Sequence, residues 1–165
     1  MNLQDIRTGF AYNRWANELL LAAAGELSDE EINRDLKGSF GSIRGTLRHL
    51  LWGEVGWLQY WQEREFPDQF SESDFADLPS IVAGWKSLEE EKASFASELT
   101  EEKLLEPIAV DDNPYVLGEL IQNIFVHSIH HRGQVVHMLR ELGRTPPHTG
   151  FRHFLTQNRE ELARP

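Results

Sequence analysis

The chain has 165 residues, no cysteine and a formal net charge of −11. The missing cysteines exclude disulfide frameworks, thiolate metal sites and cysteine nucleophiles. The acidic balance argues against sequence-independent nucleic-acid binding, which depends on cationic side chains displacing counterions. No apolar run approaches the ~20 residues that a membrane-spanning helix needs. The N-terminal MNLQDIRTGF also lacks the basic-then-apolar layout of a signal peptide. The expectation is therefore a soluble, cytoplasmic protein, and the length suits one domain spanning 1–165.

The prolines divide the chain into helical stretches. Apolar spacing predicts a first helix over 3–25, from Ile6 and Phe10 to the Ala22-Ala23-Ala24 run, with Gly25 as its stop. A second runs over 42–62 with Ser42 as its N-cap, and a third over 79–98, opened by Asp77 or Pro79. The fourth, over 116–142, is the clearest and ends at Gly143. The segment 104–115 is too broken for a helix, and its Ile-Ala-Val suits a brief extended piece. Residues 151–162 form a short terminal helix. Four substantial helices with long connections fit a single all-α bundle.

Helical angles sort the seven histidines. With His127 as reference, His131 falls at about 40°, so both lie at the edge of the apolar arc. That arc holds Leu117, Leu120, Ile121, Ile124, Val135 and Met138, while His130 and His137 share the opposite side with Glu119, Asn123 and Gln134. Two imidazoles at i and i+4 on one helix face can reach one metal ion, although two core histidines with separate partners would show the same spacing. Ser128 follows His127, so the Glu that serves as base in the zinc-protease helix motif is missing.

A metal site needs a third ligand, and His49 in the second helix is the best placed. Gly45, Gly53 and Gly56 surround it, and glycine costs about 1 kcal/mol relative to alanine inside a helix. Something must fit closely there, whether a ligand or a neighbouring helix. Three neutral histidines would leave a coordination position open, as catalytic sites do. Glu54 falls within the apolar arc beside Leu47, Leu50 and Trp61. Such a carboxylate serves as a general base, as an acceptor for a ligating histidine, or as the ion-pair partner of Arg14 or Arg132. His148 and His153 read as surface or pocket rim, and Trp52, Trp57 and Trp61 as packing residues.

Three runs together resemble one family. Tyr12-Asn13-Arg14-Trp15-Ala16-Asn17, His49-Leu50-Leu51-Trp52 and His127-Ser128-Ile129-His130-His131-Arg132-Gly133-Gln134 are similar to the DinB/YfiT-like superfamily in order and spacing. The resemblance implies an up-down-down-up four-helix bundle with a long crossover, and a homodimer. It also implies a divalent metal, zinc or nickel, held by His49, His127 and His131. Arg132, Gly133 and Gln134 match the run and are given structural roles: Gly133 for close approach of a helix, Arg132 for pairing with a carboxylate. One departure is Thr149-Gly150, where many relatives open the last helix with Asp.

Relatives of this kind imply transfer of a low-molecular-weight thiol, as cosubstrate, to a small electrophile. A metal-dependent hydrolase is the alternative, with Glu54 or His130 assisting proton transfer. The third reading is a non-catalytic bundle whose metal ties two helices together. Small-molecule substrates are expected, and neither nucleic acid nor membrane.

Overall fold

The computed structural model describes residues 1–63, 65–68, 70–71 and 73–162. The remaining positions of the 165-residue chain, over which one domain is expected, lie outside the described residues.

Four long helices build the molecule: α1 (Leu3–Gly25), α3 (Ile43–Glu63), α4 (Leu78–Ser97) and α6 (Leu117–Glu141). Short helices α2 (Asp29–Asn33) and α5 (Glu101–Leu104) sit in the connections. Strands β1 (Pro107–Val110) and β2 (Asn113–Val116) precede α6, and α7 (Phe151–Gln157) and α8 (Arg159–Leu162) follow it.

Caps set the starts. Asn2 and Asp5 form a reciprocal box at α1, Asp77 and Ser80 do the same at α4, and Ser42 Oγ accepts from the Gly45 amide at the first turn of α3. At the end of α6, Gly143 turns the chain with φ +73°, a conformation that costs an L-residue with a Cβ more. Gly25 has no such φ. It is simply the last residue of α1, and Glu26 caps the helix.

Side-chain contacts fix the directions. Phe10 meets Phe125 and Asn13 meets Arg132, so α1 and α6 run parallel. Leu51 lies beside Gly84 and Trp61 stacks on Phe95, so α3 and α4 are also parallel. Phe10 lies near Lys92, and Arg14 feels Glu89 one turn earlier on α4, which sets α1 antiparallel to α4. The result is an up-down-down-up bundle, and the parallel α3–α4 step requires the long crossover. Its core includes Ile6, Leu20, Leu50, Leu51, Ile81, Ile121 and Leu139.

Two short helices escape the periodicity because each is about one turn long. Ser28 with Glu31, and Thr100 with Lys103, are the local capping signals that mark them. The expected extended piece at Ile-Ala-Val is half of an antiparallel hairpin, with Ile108 opposite Tyr115. Its turn residues, Asp111 and Asp112, both have positive φ, the primed turn that matches strand twist. Of the α3 tryptophans, Trp61 is core, whereas Trp52 and Trp57 are half-buried and line cavities. Among the described residues, no helix is long and apolar enough to cross a membrane.

Candidate metal centre

Antiparallel α3 and α6 bring His49 against His127 and His131. His49 Nε2 and His127 Nε2 are 3.1 Å apart, and one ligand nitrogen from each of the three rings lies within 4.8 Å of the others. Ring centroids are 5.2 Å apart for His49–His127, 4.6 Å for His49–His131 and 4.4 Å for His127–His131. Burial, then the neighbouring imidazoles, push the pKa of His49 down to about 4; the same causes push His127 to about 4. Both rings are therefore neutral at pH 7 and present lone pairs. Two Nε2 atoms at 3.1 Å share at most one hydrogen, so at least one of them presents its lone pair to the other ring. His127 Nδ1 is buried and has no hydrogen-bond partner among the described residues. Among the described residues no carboxylate belongs to the group, so an ion bound there would keep its charge.

The glycines have distinct reasons. A Cβ on Gly53 would stand 3.0 Å from His127 Cε1, and one on Gly45 would stand 2.2 Å from the Phe40 carbonyl oxygen. Gly53 thus makes room for the imidazole, and Gly45 for the loop before α3. Gly56 meets only ordinary contacts from Phe66 and Pro67, so nothing at the histidines requires it.

Phe40 covers the centre. Its ring stacks on His49 at 3.8 Å and meets His131 edge-on at 5.4 Å, while remaining 37% exposed. A cavity of about 290 Å³ opens beside it, lined by Phe40, Gly45, Arg48, His49, Trp52 and Phe70. The Arg48 guanidinium donates to the carbonyls of Phe70, Ser71 and Asp74, which binds the crossover to α3.

The family model for the DinB family matches residues 2–162. The chain belongs to the DinB family. It is 23% identical over 167 residues to Protein DinB of Bacillus subtilis (strain 168), covering 93% of this chain and 95% of that protein. Its fold is similar to the crystal structure of a DinB-like protein from Bacillus cereus ATCC 10987. That match has a TM-score of 0.64 at 17% identity, over 81% of this chain and 89% of the other.

The remaining residues singled out in this DinB-family sequence are placed as follows. Glu54 is buried, but neither arginine is its ion-pair partner. Its Oε2 accepts from Lys92 Nζ at 2.6 Å, and its Oε1 from Asn13 Nδ2 at 2.6 Å, Ser128 Oγ at 2.8 Å and Asn17 Nδ2 at 3.3 Å. Burial would raise its pKa, yet Lys92, the Ser128 hydroxyl and the charge of Arg132 hold it below the ordinary carboxylate value. Lys92 lies on α4, not on the helices that carry Arg14 and Arg132. Arg14 pairs with Glu18 at the surface. Arg132 donates to the side-chain oxygens of Asn13 and Asn17 rather than to a carboxylate, and lies over the Tyr12 ring.

His130 is exposed, with its ring 4.9 Å from His131 and its Nε2 3.2 Å from Gln134 Nε2. Gly133 has open space where a Cβ would stand, so no helix approaches it. Around Thr149-Gly150 the chain packs on α1, with Tyr12 Oη donating to the Thr149 carbonyl, and His148 and His153 pair beside Trp15. That segment contributes nothing to the lining of the cavity at His49. Phe40, Lys92 and Gln134 are the residues whose roles sequence spacing missed.

Proposed function

We propose that this protein is a divalent-metal-dependent enzyme that transfers a low-molecular-weight thiol to a small electrophile. The observation that carries the reading is three imidazoles, from His49, His127 and His131, converging beside a cavity without a carboxylate in the group. Such a donor set suits zinc or nickel and leaves a position free for an exogenous ligand. His49, His127 and His131 would hold the ion. When bound, it would supply Lewis acidity that lowers the pKa of a cosubstrate thiol. The protein has no cysteine, so the nucleophilic sulfur must come from the cosubstrate.

The chain's own groups do the rest. Phe40 and Trp52 limit water around His49, and the cavity gives the electrophile a place to lie beside it. Glu54 serves to hold α1, α3, α4 and α6 in register, because all its strong hydrogen-bonding capacity is taken. His130 supports the site from its solvent side.

The test loads the protein with zinc or nickel and supplies bacillithiol, mycothiol or glutathione with a chromogenic aryl halide. Metal-dependent conjugation that disappears in His49→Ala supports the reading. Turnover of esters, amides or lactones without thiol would replace it with a hydrolase. Stoichiometric metal without either activity would leave a bundle tied together by its ion.

A homodimer in the cytoplasm completes the reading. Exposed Val126, Ile129 and Phe151 line an apolar groove between α1, α6 and α7 that a second copy could cover. Light scattering on the purified protein reads the mass directly.

A further inference from the structure

The ring of His131 is held by a residue one turn later on the same helix. His131 Nδ1 lies 2.8 Å from Gln134 Oε1. An amide oxygen accepts and never donates, so Nδ1 carries the proton and Nε2 keeps a lone pair. The other end of the amide is engaged too. Gln134 Nε2 lies 3.2 Å from His130 Nε2 and donates to Ser39 Oγ at 3.4 Å. An amide nitrogen only donates, so His130 Nε2 also presents a lone pair.

The reverse amide orientation would place a proton on His131 Nε2. Nε2 is the only nitrogen of that ring left for the shared point, where His49 and His127 already meet at 3.1 Å. An N–H of His131 aimed there would remove the lone pair that this ring brings to the donor set. Three contacts of one side chain therefore agree with a single tautomer of His131.

We propose that Gln134 is the positioning residue for His131, fixing the Nδ1–H tautomer so that Nε2 faces His49 and His127. His130 and Ser39 hold the Gln134 amide in the orientation this requires. The inference rests on the metal reading above, but its first consequence belongs to the metal-free protein. A ligating imidazole whose second nitrogen is engaged in this way loses about 10- to 100-fold in metal affinity when the partner is removed.

Two measurements test it. Long-range ¹H–¹⁵N spectra of the metal-free protein should show His131 protonated at Nδ1, and Gln134→Leu should shift the ring toward the Nε2–H form. Zinc titrations should show Gln134→Leu binding about 10- to 100-fold more weakly. Gln134→Glu, which can still accept from Nδ1–H, should stay close to wild type. Thermal melting of the metal-free variants checks that each is folded.

An Nε2–H His131 in the wild type would overturn the proposal, whatever zinc does. So would wild-type affinity in Gln134→Leu while His49→Ala abolishes binding, an outcome that leaves the metal reading standing. If the wild type binds no zinc, the metal reading fails. The tautomer spectra then still decide whether Gln134 sets the ring.

Discussion

His49 Nε2 on α3 and His127 Nε2 on α6 approach to 3.1 Å although 78 residues separate them in the chain. Glu54 pulls the His127 pKa up, but burial and the neighbouring imidazoles outweigh it, and both rings have pKa values near 4. Saturating zinc should therefore stabilise the wild type, by about 2.7 kcal/mol at a hundredfold excess over Kd. His49→Ala should abolish that rise while changing the metal-free melting temperature little. Differential scanning fluorimetry with and without zinc reads both quantities, and an undiminished zinc effect in His49→Ala would exclude this centre.

The same two rings predict a pH dependence. Their folded pKa values, about 4, lie below the ordinary 6.5 that the unfolded chain retains. The unfolded state therefore takes up protons first as the pH falls. Stability of the metal-free protein is fully present above pH 6.5 and declines between 6.5 and about 4, by on the order of 2 kcal/mol after allowing for the solvent access of the rings. Zinc affinity should fall over the same window, since protons compete for the ligand nitrogens. Urea unfolding at stepped pH measures the slope, and His49→Asn/His127→Asn should flatten it.

Glu54 and Lys92 form a buried ion pair at 2.6 Å, with side chains only 2% and 5% exposed. Lys92 also pairs with Glu89 at 2.7 Å, so Glu54→Ala leaves the buried cation with one carboxylate and should cost up to about 3–5 kcal/mol. Replacing both, as Glu54→Leu/Lys92→Met, should cost less than the sum of the single changes. A double-mutant cycle by denaturant unfolding measures the difference, and simple additivity would refute the coupling.

Gly53 faces His127 closely enough that a methyl group must displace the imidazole by a few tenths of an ångström. Gly53→Ala improves the helix by about 1 kcal/mol in propensity, which offsets the crowding. Global stability should thus stay within about 1 kcal/mol of wild type, while zinc affinity falls. A variant that loses stability but keeps wild-type affinity would show that the glycine serves packing alone.

The all-α class, the four long helices and the histidines were legible from periodicity, caps and angular position. Each of these is a local property: an apolar stripe every 3.6 residues reports which face is buried, whatever buries it. His127 and His131 share a face because they are four residues apart, and no fold is needed to know that. Composition likewise removed cysteine chemistry at once.

Tertiary structure alone decided which distant groups meet. Glu54 was visibly misplaced for a solvated carboxylate, but only the packing of α4 against α3 made Lys92 its partner. Phe40 lies in a loop without periodicity, and it comes to stack on His49 because α3 turns that loop back across its own first turns. Gln134 looks like a surface residue by angle. It acquires its role because His131 and His130 present their nitrogens to opposite ends of its amide. Hydrogen bonds and ion pairs act over about 3 Å and need correct direction. A one-dimensional pattern can identify the groups that need partners, but not which partners the folded chain will bring within that reach.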